Sequence, residues 1–161
     1  MLDKFWLWLE YLPLAQAIGP TWWFPLIESL HVVSITLMLG AILMLDLRLL
    51  GVAALRYSID VMNRELLPWS AAAFFLAMLT GLGMFITRAS AHIENPAFLL
   101  KMAFIVLAAI NIVYCHYRVL PRLRAGESDQ VVDGAARLCA ILSLSFWCAV
   151  MLAGRWIGHI V

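Results

Sequence analysis

The sequence predicts an all-α integral membrane protein: a four-helix bundle with an extra interfacial helix at its N-terminus. Three observations carry this. Of 161 residues, 65% are hydrophobic and only 13% are charged, about half the charged fraction of a soluble domain. Four apolar runs are each long enough to cross roughly 30 Å of hydrocarbon at a helical rise of about 1.5 Å per residue. Lysine and arginine gather at alternate ends of these runs. Residues 1–161 therefore read as a single membrane domain, with too little chain for a separate soluble one.

Each element has its own signal. Residues 1–20 mix acidic Asp3 and Glu10 with aromatic Trp6 and Trp8, a pattern expected of an interfacial amphipathic helix rather than a cleaved leader. Spans are predicted over 22–50, 66–88, 97–120 and 136–159. Pro25, Pro68 and Pro96 each fall near a predicted helix start, where proline is tolerated. Asn95 is placed to cap the third span, and Pro121 to close it. Arg124–Gly134, "RAGESDQVVDG", is the clearly polar loop. The three cysteines, Cys115, Cys139 and Cys148, lie inside apolar runs without C-x-x-C spacing, and read as small buried hydrophobes.

Orientation follows from the basic residues. Arg48, Arg56, Arg64, Arg118, Arg122, Arg124 and Arg137 flank the first and third loops, seven of the eleven in the chain. Lys4, Arg88, Lys101 and Arg155 fall at the other level. The positive-inside rule then puts the first and third loops in the cytoplasm and both termini outside. The expected location is the cytoplasmic (inner) membrane, with the outer face toward the periplasm. The net charge of +1 gives no reason to expect a nucleic-acid partner.

The helical rise also measures height. From Arg48 to His31 is 17 residues, from Arg118 to Lys101 is 17, and from Arg137 to Arg155 is 18, each roughly 25 Å of helix. Three spans thus place an ionisable residue at one level below the outer surface. Glu28 lies one turn from His31, and His159 lies about 6 Å beyond Arg155. Arg88 and His92 fall at the outer rim. Ionisable groups at membrane depth cost on the order of 2.5–3.5 kcal/mol each, and persist where they face a bundle interior, a cavity or a ligand. At the inner end, Asp46, Arg48, Glu65, His116 and Arg118 read as topology and ion-pair residues at the interface.

Haem b is the ligand this outer set suits best. It needs one or two histidines facing a common interior, apolar walls, and cations for its propionates. His31 supplies the first iron ligand, with His159 or His92 as a second. Arg88, Lys101 and Arg155 are the propionate partners, and Glu28 would hold the far nitrogen of His31. The residue types alone leave two alternatives open. Cu(I) takes thioether and imidazole donors, but none of the eight methionines forms an M-x-x-M pair. A non-redox accessory subunit of a larger membrane complex would need no cofactor. Gly154 and Gly158 form a small-x-x-x-small face that suits helix packing within the bundle or in a homo-oligomer.

The layout "SLHVVSITLMLGAILMLDLRLLG … LLPW … NPAFLLKMAFIVLAAINIVYCH … SLSFWCAVMLAGRWIGH" resembles a bacterial family of small membrane proteins without assigned function, over nearly the whole chain from Trp22. More distantly it is similar to the HemJ-type protoporphyrinogen oxidases and the CopD-type copper-resistance membrane proteins. His31, Gly40, Arg48 and Lys101 match the order of the HemJ-type pattern. That resemblance implies haem b bound through His31 with Lys101 close by. It carries haem binding further than protoporphyrinogen chemistry, because Asp46 and the C-terminal "GRWIGH" depart from the pattern. A redox or electron-transfer role follows, with a membrane quinone or a periplasmic redox protein as the expected partner. Whether the protein is an enzyme is not set by these residues, and no flavin, nucleotide or phosphate motif appears.

Overall fold

The computed structural model describes residues 2–121 and 133–159. Among them it is helical throughout, without strands. Four helices are long and apolar enough to cross a membrane: Trp23–Leu49, Ile59–Thr87, Pro96–Val119 and Gly134–Trp156. The chain is a multi-pass membrane protein. Most side chains along these helices face outward, including Val32, Leu37, Leu79, Val106, Ile110 and Leu152, which suits contact with lipid rather than water.

The N-terminal segment is two helices, not one: α1 (Leu2–Glu10) and α2 (Pro13–Ile18). Pro13 brings no N–H to continue the first helix and instead opens the second. Both pack against the end of the bundle that carries the two termini, named the outer end after the orientation expected from the basic residues. Helix α3 (Trp23–Leu49) keeps Pro25 in its first turn, and ends where Gly51 takes φ +74°, a left-handed conformation that suits glycine just past a helix.

Helix α4 (Ile59–Thr87) starts seven residues before the predicted 66, with Pro68 in its interior. Ser58 is the reason. Its hydroxyl accepts from the Val61 N–H at 3.2 Å, and Asp60 occupies the first turn, a start signal stronger than a nearby proline. Short α5 (Ala89–Glu94) then crosses the outer end.

Helix α6 (Pro96–Tyr114) begins as its sequence predicts. Asn95 accepts from the N–H groups of Ala97 at 3.0 Å and Phe98 at 3.4 Å. The Asn95 amide also donates to the Ile157 carbonyl at 3.0 Å, tying this start to the end of the last span. The helix continues through a π-helical turn, Cys115–Val119. Helix α7 (Gly134–Trp156) completes the bundle. Most of the polar loop Arg124–Gly134, with Arg122 just before it, lies outside the described residues.

Packing is uneven. Helix α3 lies along α4 and α7, and α6 lies along α7, while α4 and α6 barely touch. The inner half of the core is Leu49, Ile59, Val119, Leu120, Ala136, Cys139 and Ala140. The middle is Met38, Ala73, Ala108, Trp147 and Val150. Alanines at these contacts let the helices approach closely, the usual device where lipid removes the hydrophobic drive for helix association.

Candidate functional site

The outer site is built around His31. Its ring is half-buried between α3 and α4, with Nδ1 2.9 Å from Thr80 Oγ1. The Thr80 hydroxyl already donates to the Leu76 carbonyl, 2.8 Å away. With its one proton given to Leu76, the hydroxyl accepts toward His31 and Nδ1 carries the hydrogen. The ring also donates to the Ala77 backbone of the same helix, so in this tautomer Thr80 and Ala77 share its one N–H. With Nδ1–H so committed, Nε2 keeps a lone pair. Gly81 makes the seat: a Cβ there would stand 3.1 Å from His31 Cε1, closer than to either ring nitrogen.

Lys101 enters the same region from α6. It is half-buried and within electrostatic range of both His31 and His92. Its aliphatic stem passes Gly154 of α7, whose Cβ, if present, would lie 3.8 Å from Lys101 Cδ. His31 thus lies against Gly81 and Lys101 against Gly154, with the His31 ring and the Lys101 ammonium in electrostatic range.

His92 sits above, in an aromatic clasp. Its ring lies 6.0 Å from Phe85 and 5.3 Å from Phe98, while Phe85 and Phe98 stack at 5.5 Å and Trp6 meets Phe85 edge-on at 6.1 Å. Burial pushes the His92 pKa down. Lys101 and Arg88 add to that, while a hydrogen bond to the Arg88 backbone and the Glu10 carboxylate oppose it. Glu10 is held in place by Ser90, whose N–H and hydroxyl donate to Oε1 at 2.8 and 2.6 Å. This contact fastens α1 to α5.

The other residues expected at the outer site do not join His31 in the interior. Glu28 interacts electrostatically with His31 but is exposed at the outer end of α3. Arg88 is exposed beside His92. Arg155 is exposed on α7, one residue round from Gly154. His159 is exposed in the turn beyond that helix, its N–H bonded to the Trp156 carbonyl at 3.0 Å. Among the described residues, no three His, Cys, Asp or Glu side chains are grouped to hold a metal ion. His31 is a single imidazole donor.

The inner end differs from the expected interfacial ion pairs. Asp46 and Arg48 are both buried, at 6% and 5% exposure, and they serve different partners. Arg48 Nε donates to the Tyr57 carbonyl at 2.8 Å, holding the loop that follows α3. Asp46 forms a side-chain hydrogen bond with Ser143 of α7. Residues two apart point to different sides of a helix, so one turns to the loop and the other to the bundle. Glu65 and Arg118 are exposed, and His116 is half-buried.

A family model matches residues 11–160, nearly the whole chain. The chain belongs to DUF6644, a family of unknown function. The DUF6644 match takes in all four spans, so His31, Lys101 and Asp46 lie inside it, whereas Glu10 and α1 precede it. No curated protein and no solved structure matches the chain.

Thr80 and Gly81 were given no role from sequence, and Glu10 was read only as part of an interfacial helix. A threonine and a glycine inside an apolar span carry no signal of their own. Polar residues within the spans, such as Thr80, Asn111 and Ser143, are the one feature that would have directed attention there.

Proposed function

We propose that this DUF6644 member is a haem b-binding protein of the cytoplasmic membrane, serving electron transfer in the outer half of the bilayer. One observation carries the reading. His31 is seated on Gly81 with Nδ1–H given to Thr80, beside the ammonium of Lys101. Metal-bound histidines almost always donate their other ring N–H in this way. A lone imidazole also suits a metal that brings its own equatorial donors, which a porphyrin does and a bare copper ion does not. The likeness to the HemJ-type pattern at His31, Gly40, Arg48 and Lys101 points the same way.

In this reading His31 Nε2 would hold the iron and Lys101 would meet a propionate. Bound haem supplies one-electron chemistry. The chain's own part is to fix the imidazole tautomer through Thr80, place a cation beside it, and keep water out with apolar walls. His92 is the nearer choice for a second ligand than His159, because it shares Lys101 with His31. Both termini face outward, and a membrane quinone or a periplasmic redox protein is the partner.

A reduced-minus-oxidised spectrum of the purified protein tests this. A stoichiometric Soret band and a reduced α band are expected, and both should vanish in His31→Ala. Protein that binds no haem, or a His31→Ala variant with an unchanged spectrum, overturns the assignment. Labelling of cysteines introduced within Arg124–Gly134 by an impermeant outside reagent would overturn the orientation.

A further inference from the structure

The inner half of the bundle holds a cavity of about 90 Å³ between α3, α4, α6 and α7. Its polar lining is Asp46, Asn63, Ser70, Asn111, His116 and Ser143, and the rest is mainly leucine, isoleucine and alanine. Asp46 is 6% exposed and Asn63 is 3% exposed. One Asp46 oxygen, Oδ2, is buried with no hydrogen-bond partner among the described residues. An unpaired carboxyl oxygen in apolar surroundings is costly, so it calls for a donor. The π-helical turn Cys115–Val119 brings Cys115 and His116 to the cavity wall, and such turns recur at functional sites.

We propose that this cavity binds the head of a membrane-dissolved hydroquinone, with one ring hydroxyl donating to Asp46. The proposal rests on the redox reading above for its choice of partner, and the cavity selects the form and the place. A dehydrated cation would need about six oxygen ligands, whereas apolar side chains make up most of this wall. An apolar body with one or two hydroxyl donors matches it.

The way in is from the bilayer. Leu67 of α4 and Ile112 of α6 line the cavity and are also exposed, at 40% and 38%, on the side where α4 and α6 barely touch. A cavity of roughly 150 Å³ is needed to enclose a benzene ring. The enclosed space therefore takes the hydroxyl end, and the remainder of the ring and its apolar tail lie in the mouth between α4 and α6. An ionised Asp46, which only accepts, distinguishes the reduced ring, which donates, from the oxidised ring, which only accepts.

The test is equilibrium binding of decyl-hydroquinone and of the matching decyl-quinone to the full-length protein in nanodiscs, under anaerobic conditions. Wild-type protein should prefer the hydroquinone by about tenfold, the worth of one good hydrogen bond. Asp46→Asn, whose amide donates, should abolish or reverse that preference. Ile112→Trp fills the mouth without touching Asp46 and should weaken both ligands by at least about tenfold, which serves if Asp46→Asn does not fold. Equal affinity for the two forms, or no effect of either folded variant, overturns the proposal. Haem content is read from the Soret band of the same samples. Hydroquinone binding without haem would sink the haem assignment alone, and haem without hydroquinone binding would sink this one alone.

Discussion

His31 Nδ1 and Thr80 Oγ1 stand 2.9 Å apart. This bond joins α3 to α4 at the level where Lys101 reaches in from α6, and it fixes which ring nitrogen is left for a ligand.

Thr80→Val keeps the side chain's shape and removes the acceptor. Side-chain hydrogen bonds in membranes average about 0.6 kcal/mol, but an orphaned buried donor costs about 1–3 kcal/mol. The first figure governs here, because the ring N–H keeps the Ala77 backbone as a partner. A lower melting temperature is expected in detergent, with Thr80→Ser close to wild type. Equal melting of Val and wild-type proteins would show that the bond does not hold the ring.

Gly81→Ala places a methyl 3.1 Å from where His31 Cε1 now lies. Alanine gains up to about 1 kcal/mol in helix propensity over glycine, so the fold should survive by circular dichroism. The ring must shift, and haem retention should fall toward that of His31→Ala. Full retention would mean that the ring adjusts at no cost.

His92 sets a pH dependence at the outer end. Its folded pKa lies below the ordinary 6.5, mainly through burial. The folded state therefore binds fewer protons than the unfolded one between the depressed pKa and 6.5. Stability falls as pH drops through that window and levels off below it. Glu10→Gln removes an opposing charge and should depress the pKa further, extending the loss to lower pH. Thermal melts from pH 7.5 to 5 check this, and His92→Phe should flatten the curve.

Trp147 is 8% exposed in the middle of the core, and its Nε1–H has no partner among the described residues. Trp147→Phe removes an unsatisfied donor and should be neutral or mildly stabilising. Trp147→Ala should cost about 3–5 kcal/mol through the cavity it leaves. If Phe costs as much as Ala, the indole N–H has a partner such as bound water.

The four spans were legible because length and apolarity suffice to mark them, and Asn95–Pro96 marked a helix start to the residue. Height was legible in part, since about 1.5 Å per residue is a fixed ruler: His31 and Lys101 lie within electrostatic range of each other. Direction was not. These helices are apolar on nearly every face, so no stripe shows which side turns inward. Arg155 shares the level of His31 yet points away, about 100° round the helix from Gly154 beside Lys101. Asp46 shows the reverse error. Its distance along the chain from the first loop suggested an interface, but its bearing turns it into the bundle. Pro68 misled because a proline weakens only one hydrogen bond of a long helix, while the Ser58 cap decides where that helix starts.

The uneven packing divides the molecule into two leaves, α3 with α4 and α6 with α7, bound along the spine where α3 meets α7. His31 and Thr80 ride together on the first leaf. Lys101 rides on the second, and Asn95 latches that leaf's outer edge to Ile157. Any parting of the free edge leaves each leaf's internal bonds intact and changes only what spans the gap. The separation of the His31 imidazole from the Lys101 ammonium would thus report such a parting, which would also widen the proposed doorway to Asp46 toward the other end of the bundle.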